Sequence, residues 1–335
     1  MTGRAGIIDA FLAARGWGSA VRDPLPGDAS FRRYVRLRRS GGTALLMDAP
    51  PEREDVRPYV SIARLLKRLG FSAPAILGED PANGLLLIED FGDDTYTRLL
   101  ARGHDEAALY RLAIDLLIDL QRRFVPADGK GVPRYDDQRL LTEASLLTDW
   151  FLPAATGNPV SSADRGDYRA LWQDLFALAR QAPETLVLRD YHIDNLMLVD
   201  GRQGIASCGV LDFQDAVIGP ASYDLVSLLE DARRDVAPGL AKAMYARYLA
   251  AFPNLERNAF AASYAILGAQ RSAKIVGIFT RLCVRDGKPV YLRHIPRVWR
   301  LLESDLKHPA LGAMRAWFDR AVPAHLRAIP AGLAA

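Results

Sequence analysis

The chain has 335 residues, half of them hydrophobic and a quarter charged, which suits about two domains or lobes of a folded protein and excludes a disordered, collagen-like or disulfide-stapled chain. Lys and Arg number 43 against 40 Asp and Glu, a net +3 that points to neither nucleic acid nor a membrane surface as partner. Cys208 and Cys283 stand alone without metal-ligand spacing, and no apolar stretch has the length of a signal peptide core or a membrane span, so a cytoplasmic protein with reduced thiols is expected.

Ile7, Ile8, Phe11 and Leu12 recur at helical spacing up to Gly16, and Val21 to Leu25 reads as a strand leading into the turn Gly27 to Ser30. From Phe31 to Arg38 alternation predicts a second strand, with Phe31, Arg33, Val35 and Leu37 on one face and Arg32, Tyr34, Arg36 and Arg38 on the other. A turn at Ser40 to Gly42 leads into the apolar strand Thr43 to Met47. An amphipathic helix is expected from Asp55 to Leu69, stopped by Gly70, and two more strands from Ala75 to Glu79 and Leu85 to Glu89.

Beyond Phe91 helical periodicity takes over, over Ala107 to Phe124, Arg169 to Arg180, Ala221 to Arg234 and Ala259 to Leu282. One hairpin interrupts it, Leu196 to Val199 and Cys208 to Phe213, turning at Asp200-Gly201. The layout is α+β: residues 1–91 form a small five-stranded lobe and residues 92–335 a larger, mainly helical lobe.

Just before the hairpin, Asp190 stands five residues ahead of Asn195, and Asp212 follows on its second strand. In phosphoryl transfer an Asp on such a loop takes the acceptor's proton, while an Asn five residues on and a later Asp hold Mg²⁺. An Asp-x-x-x-x-Asn spacing arises by chance, and an Asp near a hairpin often serves as a cap or turn residue; the combination with the upstream sheet favours catalysis.

These residues, with Gly219 to Leu225 after them, resemble the aminoglycoside phosphotransferase and choline kinase superfamily, which has the bilobal protein-kinase-like fold. The runs Gly27 to Tyr34, Met47 to Pro51, Gly268 to Phe279, Arg285 to Pro289 and Pro296 to Trp299 are similar to the anomeric sugar kinases acting on N-acetylmuramate and N-acetylglucosamine. The resemblance implies a cytoplasmic, ATP- and Mg²⁺-dependent enzyme of peptidoglycan recycling. It would phosphorylate the C1 hydroxyl of an amino-sugar and pass the product to a sugar-1-phosphate nucleotidyltransferase. It implies Asp190 as base, Asn195 and Asp212 as metal ligands, ATP and Mg²⁺ in the cleft, and the amino-sugar bound by the C-terminal lobe.

Two departures stand out: the strand Ala44 to Asp48 lacks the phosphate-binding Lys of kinases, and Leu188 replaces the usual His two before the catalytic Asp. Arg33, beside the Gly27 to Phe31 turn, is the candidate replacement cation, with a packed stem and solvated head as the alternative. Gly27, Ser30 and Phe31 would cover the phosphates, unless they form an ordinary hairpin turn. Glu89 to Phe91 resembles the hinge that pairs with adenine, or is plain linker.

For the sugar the candidates are Asp194, Gln214, Asp215, Trp150 as a stacking face, and Gln270, Arg271 and Lys274 on the last long helix. Each has a plainer reading: a core position for Trp150, a turn cap for Asp215, a solvated helix face for the last three. His192 and His294 are too isolated to be metal ligands. An aminoglycoside, choline or other small-molecule kinase is the alternative, and the missing Lys and His also admit a non-catalytic nucleotide-binding pseudokinase.

Overall fold

The structure, a computed structural model, describes residues 3–26 and 31–333. Helix α1 (Arg4–Ala13) precedes β1 (Val21–Pro24), β2 (Arg33–Arg39), β3 (Gly42–Asp48), α2 (Arg57–Arg68), β4 (Ile76–Asp80) and β5 (Leu85–Glu89). The five strands form one antiparallel sheet in the order β1-β2-β3-β5-β4. Phe11, Leu12 and Trp17 bury against Leu37, Ala44, Leu46 and Leu87, which strand alternation puts on one face. The opposite face carries the cross-strand pairs Tyr34 with Met47 and Arg36 with Leu45.

Arg36 lies on the face opposite Leu37, where alternation puts it, yet is not solvated. It is buried, with its guanidinium between Asp90 and Asp93 at 2.8–3.1 Å and on the Gly92 carbonyl at 2.9 Å. A buried arginine requires such a cage of acceptors, and this one ties β2 to the segment after β5.

Helices α3 (Tyr96–Ala101), α4 (Glu106–Arg123), α5 (Asp137–Ala144), a π-helical turn over Leu147–Phe151, α6 (Leu152–Thr156) and α7 (Ser162–Ala179) follow. Then come β6 (Glu184–Val187), β7 (Leu196–Leu198), β8 (Cys208–Val210) and β9 (Val217–Pro220). The chain finishes with α8 (Ser222–Leu229), α9 (Pro238–Ala250), α10 (Arg257–Val284), α11 (Ile295–Asp305) and α12 (Gly312–Ala321). The expected hairpin is β7 paired with β8, but β8 stops at Val210: the Leu211 amide still bonds to the Asn195 carbonyl, and Asp212 then adopts a left-handed backbone. The helix expected to reach Arg234 ends at Leu229, beyond which the Asp231 carboxylate accepts from the Arg233 amide. Strands β6 and β9, which sequence periodicity did not reveal, pair with each other on either side of the Asp190 loop in sequence.

By packing the chain divides into two compact units, Met1–Leu116 with Ile193–Ala216, and Leu117–His192 with Val217–Ala335. The boundary expected at Phe91 marks the change from strands to helices. Packing instead brings α3, part of α4 and the β7–β8 hairpin to the sheet, because Val210 donates to the Ser72 carbonyl, Ser72 Oγ to Ala206 O and Leu198 to the Asp94 carbonyl. In the second unit α10 is the central helix, apolar around most of its surface and enclosed by α5, the π-helical turn, α7, α8 and α11. At Gly277 it meets the π-helical turn so closely that a Cβ would lie 2.3 Å from the Leu146 carbonyl carbon. Both cysteines are free thiols, and among the described residues no helix is long and apolar enough to cross a membrane.

Candidate active site

In the first unit, the Leu211-to-Asn195 hydrogen bond (2.9 Å) holds Asn195 beside the residue that precedes Asp212, so both sit at the open end of the hairpin. Asp212 has φ +54°, a conformation that non-glycine residues rarely adopt, and its side chain is 45% exposed. Its Oδ1 accepts from Gln214 Nε2 at 3.0 Å and from Arg32 Nη1 at 3.2 Å. Behind it, Phe213 is buried on the Tyr59 ring of α2, with centroids 4.8 Å apart. Two oxygen donors at one rim suit a cation that keeps most of its shell for water and phosphate oxygens.

Gln214 and Asp215 lie together, 3.4 Å apart, with Gln214 turned to the Asp212 carboxylate. Asp194 accepts a hydrogen bond from the Thr97 hydroxyl, which ties the turn before β7 to α3. Glu89 forms an ion pair with Arg202 and accepts from the Ala75 amide at 3.1 Å, so its side chain is already occupied. Phe91 packs on Gly209, where a Cβ would lie 2.9 Å from its ring, with the Arg202 guanidinium 5.0 Å from the centroid. Phe31 is exposed beneath the Arg53 guanidinium. Arg33 is also exposed; it opens β2 opposite Asp48 and belongs by alternation to the face that α1 covers. Gly27 and Ser30 lie outside the described residues.

In the second unit, Arg189 has φ +71°, so the chain turns sharply just before Asp190. The buried Asp224 carboxylate fastens this loop, accepting from the Leu188 amide at 2.6 Å and the Arg189 amide at 2.9 Å. Burial raises the Asp224 carboxyl to about 7 despite these two donors. Glu143 of α5 lies at the centre of a buried network: Arg189 pairs with it, Lys274 Nζ lies 3.1 Å away, the Tyr135 hydroxyl donates to it and Gln270 Nε2 lies at 3.4 Å. Burial pushes Glu143 up, but Lys274 and Arg189 outweigh it and leave the carboxyl below its ordinary range.

The same balance governs Asp190. Burial opposes its charge, while Lys274, His192, Arg189 and Arg271 favour it more strongly, so the carboxyl is held below the usual value and ionised at neutral pH. Such a group receives a proton only late, when the acceptor oxygen already bonds to phosphorus.

The solvated helix face offered as an alternative for Gln270, Arg271 and Lys274 is not what α10 presents. Gln270 and Arg271 are buried, Gln270 donates to the Leu140 carbonyl at 2.9 Å, and Lys274 is enclosed with Glu143. Trp150, on the π-helical turn, is half-buried and lies outside the core cluster. His192 Nε2 lies 3.0 Å from Arg233 and the His294 ring lies among Arg293 and Arg297, cationic neighbours that oppose a metal at either ring. Sequence reading missed Glu143, Asp224, Arg32 and Arg36. Asp224 and Arg32 had a signal, as parts of the Gly219 to Leu225 and Gly27 to Tyr34 runs; Glu143 and Arg36 are ordinary charged residues whose partners are distant in sequence.

The fold is kinase-like. A family model described as the phosphotransferase enzyme family matches residues 22–260, and the chain belongs to that family. It is an ATP-dependent phosphotransferase. The N-acetylmuramate/N-acetylglucosamine kinase of Caulobacter vibrioides is 41% identical, with 95% of this chain and 96% of that protein covered. The protein of the same name from Pseudomonas aeruginosa is 38% identical over 88% and 87% of the two chains. Among solved structures, the choline kinase of Streptococcus pneumoniae superposes with a TM-score of 0.62 at 12% identity, covering 90% of this chain and all of that one, a likeness of fold alone.

Proposed function

We propose that the enzyme transfers the γ-phosphoryl group of ATP to the anomeric C1 hydroxyl of N-acetylmuramate, N-acetylglucosamine or both. The acceptor oxygen attacks the γ-phosphorus, the bond to the bridging β,γ-oxygen breaks, ADP leaves, and the hydroxyl proton passes to the Asp190 carboxylate. A hemiacetal hydroxyl is more acidic than a simple alcohol, so a weakly basic carboxylate suffices for it. Asn195 and Asp212 would hold Mg²⁺, which supplies charge neutralisation to the phosphates.

One observation carries the chemistry: Asp190 stays ionised on a loop fastened by Asp224 and beside the Lys274 and Arg189 cations. The names of the near-full-length relatives support the amino-sugar as acceptor. For the sugar we assign Gln270, Arg271 and Lys274, Trp150, Asp194, Gln214 and Asp215; for the nucleotide Gly27, Ser30, Phe31, Glu89 and Phe91, the hinge pair through main-chain groups. The product would feed a cytoplasmic sugar-1-phosphate nucleotidyltransferase.

The test is to incubate the protein with ATP, Mg²⁺ and, in turn, N-acetylmuramate, N-acetylglucosamine, kanamycin and choline, with phosphorus NMR of the product. A sugar 1-phosphate is expected; phosphorylation of kanamycin or choline alone, or of none, overturns the proposal.

A further inference from the structure

Phosphoryl transfer needs a fixed cation on the nucleotide phosphates, and kinases supply it as a lysine from the third strand held by a glutamate of the following helix. Here β3 runs Ala44-Leu45-Leu46-Met47 at the corresponding place. Met47 is paired in register with Tyr34, so its side chain shares a face with Tyr34 and, two residues earlier, with Arg32.

Arg32 therefore projects from the face on which the lysine would stand. Its side chain is 12% exposed, with Nε 3.5 Å from Glu54, just ahead of α2, and Nη1 3.2 Å from Asp212. Tyr34 also hydrogen-bonds it, so the guanidinium is held on several sides within one unit. Arg33, by contrast, lies on the α1 face and is exposed.

We infer that Arg32 is the side chain that binds the nucleotide's β- and γ-phosphates, held in place by Glu54, so that the lysine–glutamate pair of kinases is rebuilt as an arginine from β2's leading edge and a glutamate before α2. The inference rests on the phosphotransferase reading of Asp212. A carboxylate that serves a phosphate-bound cation lies within a few ångströms of the phosphates, and Arg32 already touches it. The planar guanidinium fork suits two phosphate oxygens at once, and the buried arginine of that face, Arg36, is already held between Asp90 and Asp93. Glu54 acts as a positioning residue, through Arg32.

The experiment compares affinities for ATP and for adenosine by calorimetry, without sugar, in the wild type, Arg32→Met, Arg32→Lys, Glu54→Gln and Arg33→Met. Losing a charge-assisted contact of this kind weakens ATP binding about 10- to 100-fold in Arg32→Met while adenosine is unaffected. Arg32→Lys falls between, Glu54→Gln loses several-fold for ATP alone, and Arg33→Met keeps the wild-type ratio. If Arg32→Met does not fold, the same selective loss in Arg32→Lys and Glu54→Gln carries the test. An unchanged ATP-to-adenosine ratio in the Arg32 variants, or a selective loss in Arg33→Met instead, overturns the assignment. Because no sugar is present, a failure of the amino-sugar proposal shows only in the NMR assay and is distinguishable.

Discussion

Asp190 follows a residue with left-handed backbone, Arg189, and Asp212 is itself such a residue, yet the surroundings of the two aspartates are opposite. Asp190 lies in the second unit among Lys274, Arg189 and Arg271, on a loop fastened by two amide hydrogen bonds to Asp224. Asp212, in the first unit, is 45% exposed and touched by the side-chain ends of Arg32 and Gln214. A proton acceptor gains from being fixed in orientation and charge, whereas a metal ligand must leave oxygen lone pairs open to an arriving cation. Rigidity is built where the chemistry needs orientation, and access where it needs exchange.

The largest effect should come from breaking the fixed side of this contrast. Asp190→Asn removes the proposed proton acceptor and is expected to lower kcat on the order of 10²–10⁴-fold with ATP affinity retained, as read by steady-state kinetics beside calorimetry. Glu143→Gln leaves Lys274 and Arg189 buried beside a neutral amide. Breaking a buried ion network on one side costs about 3–5 kcal/mol, measured as a lower denaturant midpoint. Asp224→Ala frees the Leu188 and Arg189 amides. Each buried donor left without an acceptor costs about 1–3 kcal/mol, and kcat should fall more than KM changes because the Asp190 loop loses its anchor.

A pH series sharpens the comparison. Burial raises Glu230, which also shares hydrogen bonds with Tyr264 and Asp305, from 4.5 to about 7, and Asp305 is pushed well above its usual range. The folded state thus keeps a proton that the unfolded chain releases. The stability this contributes is complete below about pH 4.5 and is lost as pH rises through 7. Glu230→Gln should therefore raise Tm relative to wild type at pH 8 by a few degrees, roughly, and by less at pH 5.5. A gap that widens toward acid would contradict the assignment. At the small end, Arg64→Ala breaks only the exposed pair with Glu79 and should shift stability by less than about 0.5 kcal/mol.

How much of this was readable beforehand follows the range of the interactions. The five strands, α1, α2 and the β7–β8 hairpin show in local alternation and turn residues, and Asp190, Asn195 and Asp212 show in spacing over some twenty residues. Strands β6 and β9 escaped because each is four residues long and pairs across a gap of thirty. The burial of Arg36 escaped because nothing local announces Asp90 and Asp93 closing over it. Alternation alone made Arg33 the odd arginine on an apolar face; it could not show that Arg32 meets Asp212, 180 residues away. Burial of Gln270 and Lys274 likewise depends on α10 being enclosed on nearly all sides, which its periodicity does not announce.

The division of labour between the two aspartates is tested most directly by ATP affinity with and without Mg²⁺ in Asp190→Asn and Asp212→Asn. The expected result is that Asp190→Asn keeps the full Mg²⁺-dependent gain in affinity while Asp212→Asn loses most of it. An equal gain in both variants, or its loss in Asp190→Asn alone, would contradict the assignment of one as proton acceptor and the other as metal ligand.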